Sequence, residues 1–193
     1  MGLEWSPAIE RPVTVSPDPS PSPEARLVVA ARDGDRDAFG QLYARYAPMV
    51  HGLLLARAPR REVEDLVHDV FLRALGRLSS LRDPDRFGPW LATIARNRAA
   101  DYHRRPSAPE TIELPDEVPG EATRETEAEA VAALAVIRSL PEAYRETLVL
   151  RLVEGMSGPE IADRTGLTPG SVRVNLHRGM RMLREALSKG AEP

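Results

Sequence analysis

The sequence contains no cysteine, a single lysine and no long hydrophobic run. Without cysteine the chain has neither a disulfide framework nor a thiolate zinc site, which fits a reducing, cytoplasmic setting. No apolar stretch approaches the roughly 20 residues that span a bilayer, so we expect no membrane insertion. The N-terminus lacks the basic start and apolar core of a signal peptide. Lys189 is the only lysine, and the other 25 basic residues are arginine.

The net charge of -3 hides an uneven distribution along the chain. Between Pro106 and Ala130, eight acidic residues stand against one base, Arg124, so this segment carries -7 and the rest of the chain +4. The local field, rather than the total charge, attracts a polyanion. The overall balance therefore does not exclude nucleic-acid binding.

Helical periodicity divides the chain into two units. Residues 1–24 are rich in proline and serine, which predicts a disordered tail. Apolar residues then recur at helical spacing and predict one helical domain over 25–105. An acidic linker with four prolines covers 106–126, and four further helices are predicted over 127–189. No strand-like alternation is present, so the predicted fold class is all-α, with two small helical domains.

The segment 157–187 has the pattern of a helix-turn-helix. Ser157 and Glu160 have capping-box spacing, Gly166 suits a helix C-terminus, and Thr168 can cap the next helix. Several basic side chains lie off the apolar stripe of the second helix: Arg173, His177, Arg178, Arg181 and Arg184. This arrangement predicts a helix that enters a DNA major groove. An ordinary helical hairpin with a solvated arginine face is the alternative.

A second basic stripe lies on the third predicted helix of the first domain. It comprises Arg96, Arg98, Arg104 and Arg105, with Asn97 and Trp90 nearby. Arginines beside an aromatic side chain suit phosphate contact and base stacking. Trp90 also falls on the apolar stripe, which favours a core position. A merely solvated arginine face is the alternative interpretation of this stripe.

Two blocks of the sequence resemble the sigma factors of bacterial RNA polymerase. They are FGPWLATIARNRAADYHRR in the first unit and LPEAYRETLVLRLVEGMSGPEIADRTGLTPGSVRVNLHRGMRMLREAL in the second. The chain looks most like the extracytoplasmic-function class, with 25–105 as region two and 127–189 as region four. The resemblance implies a non-enzymatic factor without cofactor or metal. Such a factor binds core RNA polymerase and promoter DNA, directs transcription initiation, and is often controlled by an anti-sigma protein.

The resemblance also implies three groups of site residues. The helix EDLVHDVFLRAL would dock on core polymerase through Asp65, Leu66, His68, Asp69, Phe71 and Leu72. The minus-ten promoter element would be contacted by Trp90, Arg96, Asn97, Arg98, Arg104 and Arg105. The minus-thirty-five element would be read by Ser171, Arg173, Val174, His177, Arg178 and Arg181.

Two residues depart from the family pattern. His68 stands where glutamine is usual, and its imidazole keeps one hydrogen bond for docking. Asn175 stands where arginine is common in the recognition helix. The change removes a positive charge, so a phosphate contact or a base preference is expected to differ there.

The linker length is compatible with binding at two separated DNA sites. Its 21 residues reach about 70 Å when fully extended. Two elements about 17 base pairs apart lie about 58 Å apart along the duplex. One chain can therefore hold both elements.

Two other functions are compatible with parts of the sequence. His51, the pair His68 and Asp69, and Asp101 follow the ligand order of helical metal phosphohydrolases. A one-component regulator with a helical sensor domain would carry a similar helix-turn-helix, and it would bind DNA without polymerase. Binding to core polymerase distinguishes the sigma-factor hypothesis from both.

Overall fold

The computed structural model describes residues 21–104 and 121–190, with side chains for 21–104 and 129–188. Helices without any strand make up this described part, which confirms the all-α prediction. The first domain contains α1 (Pro23–Arg32), α2 (Arg36–Leu55), α3 (Arg60–Arg77) and α4 (Phe87–Arg104), with 3-10 turns at Leu78–Ser80 and Pro84–Arg86. The second contains α5 (Glu121–Ser139), α6 (Glu142–Leu152), α7 (Gly158–Thr165) and α8 (Pro169–Gly190). Most of the predicted tail and linker, and Arg105, lie outside the described residues.

Two domain boundaries differ from those expected from the sequence. Helix α1, which the periodicity does not predict, begins inside the expected tail: Ser22 Oγ accepts a hydrogen bond from the Ala25 amide at 3.0 Å, and Pro23 takes the first helical position. Helix α5 begins at Glu121, so the last six residues of the predicted linker are helical. Each domain therefore begins earlier in the chain than the sequence predicted, at Pro23 and at Glu121.

The helix-turn-helix forms through the predicted caps. The Ser157 amide donates to Glu160 Oε2 at 2.8 Å, and Ser157 Oγ accepts from the Glu160 amide at 3.4 Å. Gly166 ends α7 with φ at +77°, the left-handed conformation that favours glycine. Thr168 Oγ1 then accepts from the Ser171 amide at 3.1 Å in the first turn of α8. The local part of this prediction is confirmed.

The two domains pack directly against each other. Helix α2 contacts α6, helix α4 contacts α7, and the buried apolar residues form one continuous core. The close approach requires glycine on the first domain's side. A Cβ at Gly52 would lie 2.8 Å from Leu150 Cδ2, and one at Gly88 would lie 2.9 Å from the Arg164 carbonyl oxygen. The sequence analysis predicted only a linker between the two domains and did not predict that the domains would contact each other.

Arginines of the second domain donate to backbone carbonyls of the first. Arg138 reaches the Leu55 carbonyl with Nε at 3.0 Å and the Ala58 carbonyl with Nη2 at 2.6 Å. Arg164 reaches the Arg45 carbonyl with Nη1 at 3.0 Å. Because the first two acceptors lie at and just beyond the C-terminal end of α2, the arginine charge also complements the helix dipole. Backbone contacts of this kind hold the two domains together in this arrangement.

Candidate nucleic-acid interface

The residues expected to dock on polymerase divide into two groups on α3. Asp65, His68 and Leu72 are exposed, and 58% of Leu72 is accessible. Leu66 and Phe71 are buried, at 2% and 3% exposure. These two side chains attach α3 to the core in this arrangement. The side chains of the predicted docking group that α3 exposes to a partner are Asp65, His68 and Leu72.

Asp69 links the docking helix to the neighbouring helix α4. Its Oδ2 accepts from Arg98 Nε at 3.0 Å and from Arg98 Nη2 at 2.7 Å. Arg98 is only 6% exposed. In this arrangement Arg98 is not available to DNA, because its guanidinium lies inside the domain and is paired with a carboxylate.

Arg96, the next candidate DNA contact on α4, is held by the second domain. Its Nη2 and Nε donate to the two carboxylate oxygens of Glu146 at 2.5 Å and 3.1 Å. Arg57 Nη2 also donates to Glu146, at 2.7 Å. Burial tends to raise the pKa of the Glu146 carboxyl, but its hydrogen bonds and charge pairs with Arg96 and Arg57 lower that pKa below 4.5 overall. Glu146 is thus a buried anion between two cations.

The remaining minus-ten candidates differ in accessibility. Arg104 is exposed and pairs with Asp101, while Asn97 is exposed without a hydrogen bond to any described side chain. Trp90 is half-buried, with its ring centroid 5.9 Å from that of Phe87, which agrees with the expected core position. Within residues 21–104, every arginine of this stripe therefore faces a carboxylate.

The recognition helix α8 presents the opposite situation. Arg173, His177 and Arg178 are exposed, and none forms a hydrogen bond or ion pair with a residue of the described ranges. Val174 is 45% exposed beside them. At the ends of the candidate group, Ser171 Oγ lies 2.8 Å from Thr168 Oγ1 at the N-cap, and Arg181 pairs with Glu185 at 3.7 Å. The centre of α8 thus offers unneutralised positive charge to a polyanion.

Both candidate DNA-binding helices border one open cleft between the domains. The cleft has a volume of about 440 Å³. Its walls include Arg96 of α4, Asn175 of α8 and Glu146 of α6. In this arrangement the two candidate DNA-binding helices therefore border the same cleft.

A histidine forms a second polar contact across the domain boundary. His51 Nδ1 lies 2.6 Å from Glu154 Oε1, and Nε2 lies 3.8 Å from Glu64 of α3. The hydrogen bond to Glu154 is the largest influence on the pKa of His51 and raises it above 6.5. Burial and the charge of Arg60 lower this pKa, whereas the negative charges of Glu154 and Glu64 raise it further. The protonated imidazole therefore strengthens the contact between the domains.

We expect closure of the two domains to weaken as the pH rises. A histidine whose pKa is raised by folding stabilises the folded state fully at pH values below its unfolded pKa, near 6.5. This stabilisation is lost as the pH rises through the pKa of the folded state. Thermal unfolding and amide exchange at the interface, followed from pH 6 to pH 9, should show the loss. His51→Gln should flatten the profile and His177→Gln should leave it unchanged. Identical profiles for wild type and His51→Gln would contradict this role.

Three of the four residues of the metal-hydrolase alternative are paired with other side chains. His51 pairs with Glu154, Asp69 with Arg98, and Asp101 with Arg104. Across the described ranges, no group of three or more potential ligands is placed to hold a metal ion. The geometry offers no support for a catalytic metal centre.

Comparison with known proteins identifies the family. The model of Sigma-70 region 2 matches residues 42–108, and that of Sigma-70 region 4 matches residues 130–183. The RNA polymerase sigma factor CarQ of Myxococcus xanthus is 37% identical over 167 residues, covering 82% of this chain and 94% of CarQ. The chain belongs to the sigma-70 family. The ECF RNA polymerase sigma-E factor of Escherichia coli K12 is 32% identical over 182 residues, covering 86% of this chain and 93% of the relative.

The structural comparison agrees with this assignment. The structure of CnrH in complex with the cytosolic domain of CnrY matches with a TM-score of 0.60 and 30% identity, covering 88% of this chain and 99% of CnrH. The chain is thus a sigma factor of the extracytoplasmic-function class, which binds core RNA polymerase and directs promoter recognition and transcription initiation. These findings favour the sigma-factor hypothesis over the one-component regulator. Of the helices described, none is long and apolar enough to cross a membrane.

Proposed function

We propose that this sigma factor acts in the cytoplasm and catalyses no reaction itself. It binds its partners through three separate surfaces. The exposed side of α3, with Asp65, His68 and Leu72, docks on core polymerase. The α4 surface around Asn97 follows the minus-ten strand. The α8 surface centred on Arg178 reads the minus-thirty-five element in the major groove. The exposure of these side chains and the free charge on α8 support the assignment.

We further propose that the described arrangement is a closed state, which must open when the factor engages a promoter. The observation that carries this proposal is the shared cleft: Arg96 of α4 and Asn175 of α8 line the same cavity. Promoter elements about 17 base pairs apart lie about 58 Å apart. Two helices that border one cavity of about 440 Å³ cannot reach both elements. Opening would also release Arg96 from Glu146.

An anti-sigma protein is the partner that we propose for the closed state. The family resemblance implies such a partner, and the CnrH structure, which shares the fold, is a complex with the cytosolic domain of CnrY. A partner that binds the two packed domains together would stabilise the closed state by mass action, in proportion to its preference for that state.

Fluorescence energy transfer between the domains tests the proposed opening. Because the chain has no cysteine, Gln41→Cys and Ser188→Cys place one label in each domain. We expect high transfer in the free protein and a large decrease when core polymerase and promoter DNA are added. A pair within the first domain, Gln41→Cys with Arg77→Cys, should show no change. Unchanged interdomain transfer in a transcribing complex would disprove the opening.

A further inference from the structure

The ion pair between α3 and α4 has an unusual distribution of hydrogen bonds. Arg98 directs both Nε and Nη2 to the same oxygen of Asp69, Oδ2, at 3.0 Å and 2.7 Å. Its third nitrogen, Nη1, is buried and has no hydrogen-bond partner in the described part of the chain. Asp69 is therefore the only counter-charge in contact with the Arg98 guanidinium among these residues.

Asp69 extends from the buried side of α3 to its exposed side. Its side chain is 46% exposed, while that of Arg98 is 7% exposed. His68 precedes it, and Asp65 and Leu72 lie one helical turn away on either side, so Asp69 borders the surface proposed to dock on polymerase. Its second oxygen, Oδ1, forms no hydrogen bond with the described residues. One carboxylate thus faces both the docking surface and the interior of the domain.

On α4, Arg98 lies beside the residue proposed to follow the minus-ten strand. It follows the exposed Asn97, precedes the buried Ala99, and lies one turn beyond the buried Ile94. A rotation of α4 that withdrew Arg98 from Asp69 would also turn Asn97. The other side-chain link between these helices, from Arg73 Nη1 to Asp101 Oδ2, is 3.5 Å long and partly exposed, so it is the weaker constraint.

We propose that Asp69 and Arg98 form a positioning pair for promoter opening. Through this pair, the helix that docks on polymerase fixes the rotation of the helix that follows the minus-ten strand, and Arg98 itself does not contact DNA. The proposal depends on the proposed roles of the α3 and α4 surfaces and assigns a further role to two residues between them. A polymerase group that binds Asp69 would then act directly on the orientation of α4.

The test measures polymerase affinity and promoter opening separately, with the full chain in the holoenzyme. We expect Arg98→Met to leave the polymerase Kd within about twofold, because docking side chains are intact, and to reduce open complexes about tenfold, a coupling usual for two groups in contact. Permanganate reactivity of the minus-ten thymines reports the open complexes. The salt dependence of promoter binding should not change, because no phosphate contact is lost, whereas Arg104→Met should reduce its slope by about one.

A double-mutant cycle distinguishes a positioning pair from two independent contacts. If Asp69 and Arg98 act together, Asp69→Asn combined with Arg98→Met should open the promoter no worse than the poorer single variant. Losses that multiply, or a lower salt slope for Arg98→Met, would overturn the proposal. Arg73→Met is the matched control and should retain wild-type opening.

A second variant keeps the test informative if a broken pair impairs folding. Asp69→Glu retains both charges and shifts the carboxylate by one methylene, so it should fold, bind polymerase and still open the promoter less well. Wild-type opening by Asp69→Glu would count against positioning. Failure of the wild-type holoenzyme to form open complexes at all would instead contradict the proposed function.

Discussion

Glu146→Ala is expected to separate the two domains without unfolding either of them. The substitution leaves Arg57 and Arg96 at the domain boundary without the carboxylate that they share. In the closed arrangement, removing one partner from a buried charge cluster costs about 3–5 kcal/mol, because the remaining charges stay desolvated there. Separation of the domains lets water solvate both arginines and relieves this cost. We expect the interdomain energy transfer of the doubly labelled chain to fall in the absence of polymerase. Helical content, measured by circular dichroism, should be retained.

Glu142→Ala is the matched control for this result. Glu142 accepts from the same Arg57, at 2.7 Å, but its side chain is 66% exposed. An exposed pair contributes about 0–1 kcal/mol, so the domains should stay closed. In wild type, folding lowers the pKa of Glu146, so its carboxylate stabilises the closed arrangement fully above pH 4.5. This stabilisation is lost as the pH falls through the pKa of Glu146 in the folded state. Equal effects of the two alanine variants would refute the central role of Glu146.

Asp69→Arg is expected to destabilise the first domain rather than to affect polymerase docking alone. The new guanidinium would stand against Arg98, whose side chain is 7% exposed and has no other counter-charge among the described residues. Breaking a buried pair and adding a like charge should cost about 3 kcal/mol or more. Thermal unfolding should show a markedly lower Tm and reduced protection of α4 amides.

Asp65→Arg separates docking from folding. Asp65 is exposed on α3 and forms no ion pair with a described residue, so its reversal should change stability by no more than about 0.5 kcal/mol. If α3 docks on a basic surface of polymerase, the like charge should weaken binding by several kcal/mol and abolish capture of polymerase in a pull-down. Retention of polymerase by this variant would disprove the α3 assignment.

Local features of the fold were predictable because their causes are local. The caps at Ser157 and Thr168 and the left-handed Gly166 depend on residues within a few positions of one another. Helix α1 escaped prediction for a similar reason. It is only ten residues long and follows a proline-rich segment, and its three buried residues, Ala25, Val28 and Ala31, are small. Its apolar stripe is correspondingly weak.

The pairing of the arginines was partly predictable from the sequence. Arg98 lies seven residues after Leu91 and four after Ile94, so the stripe itself placed it inside, although its charge suggested exposure. On α6, five consecutive residues from Glu146 to Leu150 are buried, while Leu152 is 48% exposed. Five consecutive residues cover every side of a helix, so this part of α6 packs against neighbours on opposite sides. One neighbour is α8 of its own domain, and the other is α2 of the first domain. The identity of these neighbours depends on long-range packing, which periodicity does not encode.

The two glycines at the domain boundary, Gly52 and Gly88, affect how tightly the domains close without affecting which promoters the factor reads. Evolution can therefore adjust closure and promoter choice independently. Any side chain at Gly88 would meet the backbone of Arg164, and one at Gly52 would meet Leu150 and Glu154. A single nucleotide change at either codon would loosen the closed state, yet neither residue belongs to the proposed polymerase or DNA surfaces. Basal activity could therefore drift through these positions while the set of target promoters stayed constant. Selection for a tighter or looser closed state would therefore act on these two glycines and leave the DNA contacts untouched.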